Sequence, residues 1–176
     1  MDVNELTRDA LAASARNDSE AAIALLRQAT EQDDAAAIPH YLLGAEYAQI
    51  GIIDRAVAEM ARALENDPSL APARFQLGLL HLTSGRVAEA AEAWRPLERL
   101  GTEDPLYLFK EGLLAMAQDR FEDARALLEA GLDRNVANAP LNADMRKVIA
   151  AIDRLDAGDG DADSGQHVLV SAYRPG

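Results

Sequence analysis

The feature that most constrains this chain is a repeat of 34 residues. Small residues recur at two positions of the repeat and aromatic residues at a third: Gly44, Gly78 and Gly112; Ala56, Ala90 and Ala124; Tyr41, Phe75 and Phe109. A constant period of this length with helical content is typical of stacked helical hairpins, because each hairpin needs neighbours to bury its apolar face. Arrays of this kind bind other polypeptides more often than they catalyse reactions.

The characteristic residues of the repeat follow a fixed order. With residue 37 as position 1, the first repeat carries its characteristic residues at positions 7, 8, 11, 15, 20, 27 and 32: Leu43, Gly44, Tyr47, Gly51, Ala56, Ala63 and Pro68. This order closely resembles the signature of the tetratricopeptide repeat. The resemblance implies an all-α fold of helix-turn-helix repeats, stacked in a right-handed superhelix and closed by a C-terminal capping helix.

The second and third repeats begin at residues 71 and 105 and depart from the signature. The second has His81 at the tyrosine position and Thr102 at the proline position. The third has Glu111, Ala115 and Asp119 at the leucine, tyrosine and turn-glycine positions, which makes it the most degenerate of the three.

We predict a single repeat domain, residues 1–156, followed by a tail, residues 157–176. The domain is assigned a degenerate first hairpin, three repeats and a capping helix, with these bounds: 3–36, 37–70, 71–104, 105–138 and 140–155. The first hairpin is included because Ala22, Leu26 and Ala29 keep the register of the later repeats.

Local signals predict where several helices begin and end. Asp18 and its neighbours in the Asn17–Ser19 turn offer N-caps for the second helix. Asn138 followed by Pro140 is typical of a helix start. Pro96 lies inside the expected second helix of the second repeat, and because proline removes a backbone hydrogen bond, we expect that helix to kink or end early.

The resemblance also implies that the first helix of each hairpin lines a concave groove. The residues at the groove positions are apolar or aromatic, and the candidate partner-binding residues among them are Ile38, Tyr41, Phe75, Leu79, Leu82, Phe109, Leu113 and Met116. Such a surface is either open to a partner or covered by the protein itself or by a second copy. Only Lys110 lies near the groove, so the carboxylate clamp that some tetratricopeptide domains use for acidic C-termini is not expected.

The tail has two parts of different composition. A stretch rich in Asp and Gly, from Asp156 to Gly165, reads as a flexible acidic linker. Beyond it, the segment Val168–Tyr173 is apolar and β-prone, which predicts an extended peptide that is either disordered or docked, into the groove in cis or onto another copy. This segment makes a homo-oligomer one of the predicted assemblies.

Charge and residue types exclude several classes of function. With 30 acidic and 17 basic residues, the net charge of −13 opposes binding to nucleic acid or to an anionic membrane. There is no cysteine, and His40, His81 and His167 form no ligand pair at helical spacing. We therefore expect no enzyme activity, no cofactor and no metal site. The N-terminus does not read as a signal peptide and no segment reads as a membrane span, which predicts a cytoplasmic protein.

Three functions remain open at this point. The first is an adaptor or chaperone-like module that binds an apolar peptide segment of a partner, similar in layout over residues 37–155 to the class II chaperones of type III secretion. The second is a self-associating scaffold whose tail fills the groove in cis or in trans. The third is an accessory subunit of an enzyme complex.

Overall fold

The computed structural model describes residues 1–156 and 165–172, and the secondary structure of this part of the chain is all helical. This confirms the predicted all-α fold. The described elements are ten α-helices and one 3₁₀ segment: α1 (Val3–Ala15), α2 (Ser19–Gln32), α3 (Ala37–Gln49), α4 (Ile53–Asn66), α5 (Ala71–Thr83), α6 (Val87–Trp94), η1 (Arg95–Leu100), α7 (Pro105–Ala117), α8 (Phe121–Arg134), α9 (Ala139–Asp156) and α10 (Gly165–Ala172).

The helices form two compact units, one of residues 1–80 and one that begins at residue 81. In the first unit, α1 packs on α2, α2 on α3 and α3 on α4. In the second, α7 packs on α8, α8 on α9, and α6 with η1 packs on α7. We refer to α1, α3, α5 and α7 as the A helices and to α2, α4, α6 and α8 as the B helices.

Each A helix is joined to its B helix by a turn with a left-handed residue. These residues have positive φ angles of 58°, 77°, 76° and 60°, and they lie 34 residues apart: Asn17, Gly51, Gly85 and Asp119. Positive φ favours Gly, Asn and Asp over other residue types. At every turn the next residue donates its backbone N–H to a carbonyl five residues earlier, as Ile52 does to Tyr47. The repeat period therefore fixes the turn geometry even where the glycine is replaced.

The small residues of the repeat lie where the two helices of a hairpin cross. A Cβ added to Gly44 would lie 3.1 Å from the Ala56 carbonyl oxygen, and one added to Gly112 would lie 2.8 Å from Leu128. Four residues, one at the same position of each B helix, are fully buried: Ala22, Ala56, Ala90 and Ala124. Because there is no space for a larger side chain at these crossings, their small size is a packing requirement.

Helix ends follow the predicted signals. The Asp18 side chain accepts from Ala21 N, and the Asn138 side chain accepts from Leu141 N at 3.1 Å. The second helix of the second repeat ends early, because α6 stops at Trp94 and the chain continues through Pro96 as the 3₁₀ segment η1. This confirms the predicted effect of Pro96.

One expectation about the tail is wrong. We expected an extended segment from Val168, but residues 165–172 form the helix α10. An eight-residue helix of β-prone residues is explained by its contacts, since α10 packs on α7 and α9. Of the predicted linker, Asp156 ends α9 and Gly165 begins α10, while residues 157–164 lie outside the described residues, as does Tyr173.

Candidate functional site

The eight predicted groove residues divide into a buried and an accessible group. Six of them are buried by the chain itself: Phe75, Leu79, Leu82, Phe109, Leu113 and Met116. The remaining two lie on α3, where Ile38 is 47% exposed and Tyr41 is half-buried. Burial also raises the pKa of the Tyr41 hydroxyl, which keeps it neutral. Only these two of the eight side chains present surface to a partner.

The burial of Phe109 has a clear cause in its own hairpin. Gly131 on α8 faces the Phe109 ring so closely that an added Cβ would overlap the ring atoms. Phe109 therefore fills the interface between α7 and α8. In the first repeat the equivalent residue, Tyr41, only borders the core that Leu43, Met60 and their neighbours form.

A further accessible apolar residue, Leu11 on α1, was missed by the sequence analysis. It is 50% exposed and stands at position 9 of the degenerate hairpin, the position that Leu79 and Leu113 occupy in later repeats. Extending the groove register back to residue 3 would have identified it. We define the exposed A face of the first unit by Leu11, Ile38 and Tyr41.

The corresponding side of the second unit holds α10. Leu169 is fully buried in this helix, which packs on α7 and on α9. The Gly165 backbone N–H donates to Asp119 Oδ1 at 2.5 Å, and Gln166 Nε2 donates to the Gly85 carbonyl oxygen at 3.0 Å. The two acceptors belong to the left-handed turns of the second and third repeats. The only sequence signal for this contact was the replacement of the turn glycine by Asp119.

Lys110 is a structural residue of α7. It is 3% exposed, its Nζ donates to Glu111 at 2.5 Å and lies 3.9 Å from Glu98, and it stands 4.8 Å from the centre of the Tyr107 ring. The one lysine near the groove is thus already paired within the second unit.

The histidines are not gathered into a site. His40 is buried, with Nδ1 2.7 Å from Glu59 Oε2 and Nε2 3.2 Å from the Asp34 carbonyl oxygen. Burial, aided by the charge of Arg86, lowers the pKa of His81. Across residues 1–156 and 165–172, no three His, Asp or Glu side chains converge as a metal site would require. Within the same ranges, no helix combines the length and apolarity that crossing a membrane demands.

Comparisons with known proteins give both a family and a fold. A tetratricopeptide repeat model matches residues 7–71, 41–105 and 109–152. The sequence matches none of the curated proteins with which it was compared.

Two solved structures have similar folds. The crystal structure of MamA has a TM-score of 0.64 and 20% identity, with 75% of this chain and 77% of that chain covered. The structure of the MamA RS-1 ArsTM double mutant has a TM-score of 0.65 and 15% identity, with 97% of this chain and 93% of that chain covered. At these identities the likeness describes the fold, whereas the matched repeats identify the family: this chain belongs to the tetratricopeptide repeat family.

Proposed function

We propose that this protein is a non-enzymatic interaction module, adaptor-like or chaperone-like, that binds an apolar polypeptide segment of a partner on the A helices. The observation that carries this proposal is the exposed A face of the first unit, where Leu11, Ile38 and Tyr41 present apolar surface. Exposed apolar residues at groove positions of neighbouring A helices are typical of binding surfaces.

The chemistry of this face favours an apolar ligand. Leu11 and Ile38 contribute aliphatic surface, and the neutral Tyr41 adds an aromatic ring. Burying apolar surface is worth about 25 cal/mol per Å², so a few such contacts supply several kcal/mol before the cost of ordering the ligand. The net charge of −13 makes a neutral or basic segment a better partner than an acidic one.

A peptide-library selection against the full-length protein tests this proposal. We expect it to enrich apolar peptides whose binding is lost in Ile38→Glu and weakened in Tyr41→Ala. Ile50→Glu is the matched control, because Ile50 is 45% exposed but stands just after α3, outside the groove positions. Substituting glutamate at the buried Phe75 or Phe109 would disrupt the core instead of testing the surface.

The proposal is wrong if peptides selected by the wild-type chain bind Ile38→Glu and Ile50→Glu equally well. Equal binding would place the interaction on another part of the molecule. Circular dichroism of each variant checks that the helical fold is retained.

A further inference from the structure

We propose that α10 occupies, within its own chain, a binding site for a short amphipathic helix of a partner protein. The partner helix begins with glycine and buries a leucine four residues later, as α10 does with Gly165 and Leu169. This inference rests on the proposed function, since it extends partner binding from the exposed A face of the first unit to a site on α7 and α9 in the second.

The contacts of α10 differ from those of the helix that closes the array. The capping role belongs to α9, which packs on α8 and buries five side chains: Leu141, Met145, Val148, Ala151 and Ile152. By contrast, α10 packs across α7 and α9 and has one large side chain that is fully buried, Leu169. A bound peptide lies on the side of a repeat array in this way, whereas a capping helix covers the last repeat.

The first residue of the bound helix has to be glycine. A Cβ built on Gly165 would overlap the Met116 carbonyl oxygen and come within 3.1 Å of the Phe121 ring. A backbone carbonyl cannot turn aside as a side chain can. The site therefore distinguishes glycine from every larger residue by steric exclusion.

The polar contacts recognise the start of a helix. Asp119 accepts from the Gly165 backbone N–H, which is a donor that any helix presents at its N-terminus. This acceptor comes from the turn of the third repeat. Glycine would satisfy the turn at residue 119, as Gly51 and Gly85 do in their repeats. Aspartate keeps the left-handed turn and adds the acceptor.

The helical state of α10 depends on this contact. Isolated helices shorter than about 12–15 residues are marginal in water, and α10 has eight residues, of which Val168 and Val170 are β-branched. Residues 157–164 tether α10 to α9, which gives it a high effective concentration at the site. A partner helix competes with this tethered occupant, so α10 limits binding to partners that make additional contacts.

A synthetic peptide of residues 164–173 tests the site directly. We expect the labelled peptide to bind the full-length Leu169→Asp chain, whose own α10 has lost its buried side chain. Binding to the wild-type chain should be at least about tenfold weaker, because the tethered α10 competes. A library selected on Leu169→Asp should enrich glycine followed by leucine four positions later.

The Gly165→Ala peptide is the matched control. Alanine raises helix propensity, so a general preference for helices would make this peptide bind better. We expect it to bind at least about tenfold more weakly, because the Cβ meets the Met116 carbonyl. Adding Asp119→Gly to the Leu169→Asp chain should also weaken the wild-type peptide several-fold while preserving the turn.

Three results would overturn the inference: no peptide binding to Leu169→Asp, equal binding of the glycine and alanine peptides, or a wild-type dimer that the peptide dissociates. The last would assign the site to the α10 of a second copy. If Leu169→Asp does not fold, the full-length Gly165→Ala chain is used in its place. In that chain the clash of the added Cβ is expected to release α10 from the site. The peptide of residues 164–173 could fail to bind while the library peptides that depend on Ile38 still bind. That result would refute this inference and leave the proposed function standing.

Discussion

The first two hairpins of the first unit and the hairpin of α7 and α8 in the second share their turns and helix crossings but differ on the side formed by their A helices. At position 9 of the repeat, Leu11 on α1 is 50% exposed, whereas Leu113 on α7 is 0% exposed. At position 5, Tyr41 on α3 is half-buried and Phe109 on α7 is fully buried. The α5 residues at these positions, Leu79 and Phe75, are buried although they belong to the first unit. The repeat register fixes what packs inside a hairpin, but the exposure of the A helices depends on what else the chain places against them.

The same change, leucine to alanine, at Leu11 and at Leu113 tests this difference. We expect Leu113→Ala to lower the free energy of unfolding by about 2–5 kcal/mol, because it leaves a cavity in the core. Leu11→Ala should change it by less than about 0.5 kcal/mol. Urea denaturation of both variants measures the effect, and equal losses would mean that the two units do not differ at this position.

The helix crossings should respond alike in both units. Ala56 in the first unit and Ala90 in the second are both fully buried at position 20. We expect Ala56→Leu and Ala90→Leu each to destabilise the protein by about 1–3 kcal/mol through overpacking. The exposed Glu92→Gln is the control and should stay within about 0.5 kcal/mol. If only one of the two leucine variants were destabilised, the helices of the other unit would not cross as closely as described.

A pH titration compares the two units at position 11, where the first has Tyr47 and the second His81. Because burial lowers the pKa of His81 in the folded state, the unfolded chain takes up the proton first as the pH falls. This contribution to stability is present above the unfolded pKa of about 6.5 and is lost as the pH drops towards the folded pKa. We expect His81→Tyr to reduce the loss of Tm between about pH 7 and about pH 5. An unchanged profile would exclude His81 as its source.

A small effect on global stability with a large local effect is expected for Asp119→Gly. The change removes the cost of a left-handed non-glycine residue but also deletes the cap of α10, so the free energy of unfolding should change by less than about 1 kcal/mol. Local protection should fall much more, with amide exchange in α10 at least about tenfold faster. Hydrogen exchange followed by mass spectrometry separates the two quantities. Unchanged exchange in α10 would mean that Asp119 does not hold it.

Much of the fold followed from the sequence because local chemistry determines it. The period of 34 located the left-handed turns, and Pro96 marked the early end of α6. The state of α10 could not be read in this way, because Val168 to Val170 favour a strand and the contacts that make them helical come from residues distant in the chain. Likewise, the repeat register placed Phe109 on the A face. Its burial depends on Gly131 of α8, which stands at the position that alanine occupies in the first repeat.

The left-handed turn at Asp119 has an evolutionary consequence. Glycine and aspartate codons differ by a single base, and both residues are compatible with the positive φ that the turn requires. A repeat can therefore acquire a hydrogen-bond acceptor at its turn by one mutation, without a deleterious intermediate and without disturbing the hairpin. In a chain of four similar turns, one turn can thus gain a new contact while the others keep the hairpin geometry.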